Sequence, residues 1–373
     1  MFFSLKNFIK SLFFILLLGG VSFIVIDFLK TKKNLMDIEE YTPKSTLIVP
    51  QNLLTKAKYP FIDVHSHLFD MPLRDLNKLT SEMDDLNMAF IINLSGFRGI
   101  YLNQSLENIR ENAPNRVGLF VNIDFEDIDD PLFGKSTAKF IDSAAANGAM
   151  GLKVYKSLGL TSKDNSGNRI AVNDPRLDPV WKACGDNNIP VLIHSGEPSS
   201  FWMPKDKFNE RWLELRQKPR RYRDPKTNPS FEEVLAEQHE VFRNHPNTTF
   251  INAHLGWMGN DLDRLGKHLD RYPNVLTEIG AVLAEIGRQP KRARKFFIDY
   301  QDRILFGKDS YKPSEYYTYF RVLETDDEYF DYYRKRHAHW KMYGLALPDS
   351  VLKKVYYENA LKIFPKLDKN LFK

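Results

Sequence analysis

Residues 61–67 read FIDVHSH, an apolar run that ends in His65 and His67. Side chains two positions apart on a strand share a face. The pattern therefore predicts a short buried strand whose two imidazoles project together from its C-terminal end. Two neutral imidazoles so placed can share one transition-metal ion. A second pair with this spacing, His337 and His339, sits in a charged, Tyr-rich segment without strand character and is read as having no metal role.

The chain beyond the first pair gives that pair its weight. Helix-patterned segments alternate with seven further apolar runs: MAFIINLS, RVGLFVNID, MGLKVYK, IPVLIHSGEP, TTFINAHLGW, NVLTEIGA and RILFGKDS. Apolar strands separated by helices predict parallel strands with helical crossovers. Eight such units predict a closed (β/α)8 TIM barrel. A doubly wound sheet is the alternative, but no Gly-x-Gly-x-x-Gly follows the first run, which counts against a dinucleotide version.

Chemistry in such a barrel gathers at the C-terminal ends of the strands. There the fourth run carries Lys153, the fifth ends in His194, the sixth in His254 and the eighth in Asp309. Each has a plain structural alternative: a hydrogen-bonded histidine, a turn aspartate after Gly307, a lysine reaching into solvent. Their regular placement favours a metal cage of imidazole and carboxylate, suited to zinc and also to iron or manganese. His239, His245 and His268 fall on helices or at a helix end and are read as structural.

Of the net charge of +5, +4 lies in residues 1–33, through Lys6, Lys10, Lys30, Lys32 and Lys33 against Asp27. The body is left nearly neutral, which argues against a nucleic-acid partner. From Ser11 to about Leu29 the chain is apolar enough to span a bilayer. Lys6 and Lys10 precede this stretch as in a secretory signal, and no Ala-x-Ala-like site follows. The expectation is a transmembrane anchor over 1–33, a tether over 34–58 and an exported, extracytoplasmic or periplasmic barrel over 59–373. Secretion after signal cleavage is the alternative. Cys184, the single cysteine, cannot form an internal disulfide and reads as a small buried hydrophobe.

Two insertions, near 199–229 and 324–347, break the strand–helix rhythm and are read as pocket walls or lids. Trp202, Tyr222, Tyr329 and Tyr332 are their candidates to line a site; an outer surface or a homo-oligomer contact is the other reading. The basic run of Arg220, Arg221 and Arg223 reads as a solvated face.

In order along the chain, DVHSH, GLKVYK, VLIHSGEP, FINAHLG, ILFGKD and YYENALKIF resemble the amidohydrolase superfamily. The likeness is to the amidohydrolase-related branch that includes aminocarboxymuconate-semialdehyde decarboxylase and related hydrolases, and it covers nearly all of 59–365. The resemblance implies His65, His67 and Asp309 as metal ligands, joined by His194 in single-metal members, with His254 as a catalytic histidine that polarises the substrate. In two-metal members a carboxylated lysine bridges the ions. Lys153 stands at that place, and in single-metal relatives it is a pocket residue. One ion, Zn2+, is preferred over two. The chain departs from the pattern at Gly307-Lys308-Asp309-Ser310-Tyr311, where relatives have Gly-Thr-Asp or Gly-Ser-Asp before a small residue and Pro. It departs again at Glu278, where they have a shorter acidic residue.

The implied activity is metal-dependent hydrolysis of a C–N or C–O bond, of amide or lactone type, in a small molecule, with Asp309 moving the proton. A non-oxidative decarboxylase acting on a small carboxylic acid is the alternative, with Lys153, Arg288 and the basic insertion holding an anionic substrate. A third reading is a tethered binding protein that keeps the cage without turnover. Arg288, Glu278, Trp202 and Tyr155 are further pocket candidates.

Overall fold

The computed structural model describes residues 5–33, 36–37 and 40–372. They divide into two units, one reaching Val49 and the other beginning at Pro50. The first contains one long helix, Leu5–Lys33. Its stretch Phe8–Asp27 is long and apolar enough to cross a membrane, by length and composition. The second unit starts earlier than the tether expectation placed it. Asn52 donates its backbone and side-chain N–H groups to Asp327 at 2.7 and 2.6 Å, and Ala57 N–H donates to Leu86 O at 3.1 Å. Residues 50–58 are therefore docked on the body.

The body is an eight-stranded parallel sheet in sequential order. Its strands are β1 (Phe61–Ser66), β2 (Met88–Asn93), β3 (Val117–Asn122), β4 (Gly151–Val154), β5 (Val191–Ile193), β6 (Phe250–Asn252), β7 (Val275–Glu278) and β8 (Ile304–Leu305). Almost every strand residue is buried, because helices cover the outer face and side chains fill the inner one. The seam between β8 and β1 is closed by residues around and beyond β8. Val64 N–H donates to Phe306 O at 3.0 Å and Asp309 N–H to His65 O at 2.6 Å. The result is a nearly closed barrel of (β/α)8 type. Ile62, Val64, Phe90, Ile92, Phe120, Leu192, Ile251 and Leu305 form its inner cluster, joined by Phe364 and Phe372 from the C-terminal segment.

Three local departures place the site. The pairing register of β1 with β2 shifts between Asp63 and Ser66. Such an irregularity re-aims side chains: Asp63 bonds the Tyr316 hydroxyl of the outer helix Pro313–Glu324 at 2.5 Å, whereas His65 turns to the barrel mouth. The sixth run, expected to stay extended to Trp257, leaves the sheet at Asn252 and coils through a left-handed turn, with φ of 58°, 53°, 58° and 55° at His254, Leu255, Gly256 and Trp257. Between β7 and β8 the chain forms two helices, Leu283–Gly287 and Pro290–Asp299, because Pro290 has no N–H to continue the first.

Candidate metal centre

Five predicted residues meet at the C-terminal rim. His65 and His254 are fully buried, while His67, His194 and Asp309 are partly exposed and open the cluster toward solvent. Ligand-capable atoms of His65, His254 and Asp309 lie within 4.8 Å of one another. His65 Nε2 is 3.4 Å and His67 Nε2 3.8 Å from Asp309 Oδ1. His194 Nδ1 lies 3.2 Å from His254 Nε2.

Partners behind the rings fix which nitrogen faces the cluster. His65 Nδ1 sits 3.0 Å from Glu278 Oε1. His254 Nδ1 sits 2.7 Å from Gly280 O. A carbonyl only accepts, and so does an ionised carboxylate, so both Nδ1 atoms carry protons. Each ring then turns its Nε2 toward the cluster. His254 Nε2, in the neutral ring, accepts from His194 Nδ1, which leaves the His194 Nε2 lone pair free. His65 Nε2 and His194 Nε2 are both buried without a hydrogen-bond partner. Orphaned buried ring nitrogens beside a carboxylate are the donor set of a divalent transition ion, and the residues fit one.

This tautomer bears on the role expected for His254. To polarise a carbonyl it would need a proton on Nε2. Burial pushes its pKa down to about 4, so near neutral pH the ring is neutral and its Nε2 is taken up by the His194 ring. Burial likewise holds His194 well below the usual histidine range and His67 at about 2. Burial and Lys153 press His65 down as well, but Glu278 and Asp309 outweigh them and raise it. Burial alone would raise the Asp309 carboxyl. The imidazoles of His65, His254 and His67 hold it well below the ordinary carboxylate range.

Glu278 is not a pocket residue. It is fully buried. Besides the His65 ring, it accepts the His254 N–H at 2.6 Å and the Gly280 N–H at 2.5 Å. Burial opposes its charge, but His65 and His254 hold the carboxyl at about 2. Glycine is required beside it: a Cβ at Gly307 would meet Glu278 Oε2 at 2.4 Å.

Lys153 is 1 % exposed and its Nζ has no hydrogen-bond partner, lying 5.7 Å from the centroid of the Tyr155 ring. Burial lowers its pKa to about 8. It lines a cavity of about 470 Å3 on the β3–β4 side with Phe97, Asn122 and Tyr155. Tyr155 also stacks on the His67 ring, 5.7 Å between centroids. A smaller cavity touches His194, His254 and Asp309 from the other side. Two pocket candidates lie elsewhere. Arg288 is held by Glu210 at 2.7 Å and by Glu285, over the Trp340 ring. Trp202 donates to Pro229 O at 2.8 Å and packs on Phe231, because the 3-10 turn Ser199–Trp202 points Phe201 into the smaller cavity instead. Lys308, the departure in the eighth run, is buried and bonds Glu315 at 2.7 Å. His239 and His268 lie on outer helices, 4.3 Å between ring centroids.

Sequence reasoning missed Arg211, Glu214, Arg334 and His337, all of which line the smaller cavity. His337 reaches it without its pair, since His339 is exposed.

The fold and the cluster define a (β/α)8 barrel with a histidine–carboxylate centre at the C-terminal rim. The chain belongs to the amidohydrolase family, whose sequence model matches residues 62–366. Among solved structures, an uncharacterized TIM-barrel protein from Bordetella bronchiseptica is 15% identical, with a TM-score of 0.52 over 82% of this chain and 98% of that one. A dihydroxybenzoic acid decarboxylase from Polaromonas sp. JS666, with bound manganese and the inhibitor 2-nitroresorcinol, is 12% identical, with a TM-score of 0.52 over 84% and 99%. A 2,6-dihydroxybenzoate decarboxylase from Rhizobium is 14% identical, with a TM-score of 0.50 over 82% and 99%. No curated protein matches the chain in sequence.

Proposed function

We propose that the protein is a metal-dependent hydrolase that cleaves a C–N or C–O bond at a carbonyl of a small molecule. The observation that carries this reading is the cluster of His65, His254 and Asp309, whose ligand-capable atoms lie within 4.8 Å of one another, with both rings oriented from behind. His65, His194 and Asp309, with His67, would hold one divalent ion, zinc in this reading, and His254 stands beside them. When bound, such an ion supplies Lewis acidity to an oxygen and acidifies water.

Asp309, kept ionised by the surrounding imidazoles, accepts the proton of the attacking water as its oxygen bonds the carbonyl carbon. It then returns that proton to the leaving nitrogen or oxygen as the bond breaks. The Lys153 ammonium, buried and without a hydrogen-bond partner, faces the growing negative charge from β4. Tyr155 and Phe97 wall the larger cavity and hold the body of the substrate.

Decarboxylation of a small acid is the second reading, favoured by the four cationic side chains that line the smaller cavity. Product analysis in 18O-labelled water separates the two. Hydrolysis puts one label into the released acid. Release of carbon dioxide with no label in the remaining product overturns the hydrolase in favour of the lyase. Elemental analysis of the purified protein names the ion; manganese, which the Polaromonas relative holds, suits the same donors.

Phe8–Asp27 is the proposed membrane anchor of an exported body. The chain should stay in the membrane pellet after washing at high salt and at pH about 11, and detergent should release it. Recovery in the wash would refute the anchor.

A further inference from the structure

In the basic stretch of the first insertion Arg220 is exposed, but Arg221 and Arg223 turn inward. Around the smaller cavity stand Lys156, Arg211, Arg221, Arg334 and His337, facing Glu197 and Glu214. Glu214, 2 % exposed, takes Arg211 Nη1 at 3.1 Å, Arg221, and His337 Nε2 at 3.5 Å. Glu197 takes Lys156 at 2.6 Å and Arg223 at 3.3 Å. Arg334, from the second insertion, reaches Ser310 Oγ at 2.9 Å and Glu315 at 3.2 Å.

The lining thus holds four full positive charges against two carboxylates, apart from Asp309. Counting outward does not cancel the excess. Glu210, Glu285 and Glu315 enter the network, but so do Arg223, Arg288 and Lys308. Arg211 is buried, while Lys156, Arg221 and Arg334 are about a third exposed, so an incoming anion meets them at the cavity mouth. Donors are also left over: Arg211 is 3 % exposed and its Nε is buried without a partner, as is Trp257 Nε1 on the same wall. The volume is about 80 Å3, room for two or three waters or one small planar group. Guanidinium forks match a carboxylate in shape as well as in charge.

We infer that the two insertions build a subsite for a carboxylate that the substrate carries away from the bond being broken. The substrate class is a small acid whose amide or ester carbonyl lies at the histidine cluster and whose carboxylate ends between Arg211, Arg221 and Arg334. The inference rests on the proposed metal centre only for where the scissile bond lies.

The test uses the full-length, metal-loaded protein and two probe series, linear alkyl hydroxamates and the ω-carboxy hydroxamates of equal length, titrated by calorimetry. At one chain length the carboxylate should tighten binding tenfold or more. Arg221→Gln and Arg334→Gln, both at partly exposed positions, should each remove most of that gain and leave the plain hydroxamate unchanged. The subsite is refuted if no chain length gains from the carboxylate, or if the variants weaken both series alike. An ω-phosphonate bound more tightly than every carboxylate overturns the assignment of the group. Metal content is read separately. Absence of metal sinks the centre, whereas succinate binding to that metal-free protein, lost in Arg221→Gln, still supports the subsite.

Discussion

Asp309→Asn lowers turnover by about a thousandfold, as expected when a proton carrier is lost, while the protein stays folded. The carboxylate lies 3.4 Å from His65 Nε2 and 3.8 Å from His67 Nε2, so it is placed both to bind an ion and to take a proton. Asparagine keeps the size and the Oδ1 acceptor but removes the charge and the site for the proton. Its backbone place is secure, because Asp309 sits at φ 82°, a region that asparagine also tolerates. The loss should therefore fall on kcat, with a smaller fall in metal content read by elemental analysis. Turnover within tenfold of the parent, on the compound that product analysis identifies, would remove Asp309 from the mechanism.

Glu278→Gln is the second large effect, and it acts through other groups. One carboxylate accepts the His65 ring proton, the His254 N–H and the Gly280 N–H. An amide offers one oxygen, and its NH2 must then face a donor. A buried donor left unmatched costs about 1–3 kcal/mol, so unfolding by denaturant should show a loss of that order. Metal affinity should fall about 10- to 100-fold, the usual effect of removing the partner that orients a ligating histidine. A purely structural role would lower stability and leave the affinity of the folded protein intact, which is the result that would refute the orienting role. The sign with pH is set by the depressed carboxyl. Its contribution is full above the ordinary glutamate value of 4.5 and is lost as pH falls toward about 2. The variant should therefore lose much of the parent's acid-dependent change in stability over that window.

The barrel was legible because its evidence is periodic. Apolar runs such as MAFIINLS and RVGLFVNID recur between helical patterns, and His65, His194, His254 and Asp309 sit where those runs end. What could not be read was direction. In NVLTEIGA, Glu278 looks like a rim residue. Its inward hold on His65 depends on the space that Gly280 and Gly307 leave, and that space appears only when β7 and β8 are adjacent. The His254 tautomer likewise depends on the Gly280 carbonyl, 26 positions away in sequence. In the insertions no period guides the eye. Phe201 and Trp202 are neighbours, yet one lines the cavity and the other packs on Phe231. Arg221, in a run of basic residues, carries the same signature whether it meets solvent or Glu214.

Glu214 belongs to the first insertion and His337 to the second, and they meet across the smaller cavity. The two loops thus build the walls of one pocket together. A chimera that received the second alone would lose the Glu214 partner of His337, and one that received the first alone would lose the Arg334 side of the cavity. Natural variation in what this barrel accepts should therefore arise by paired replacement of both segments, and directed evolution of the pocket will do best with libraries that mutate them together.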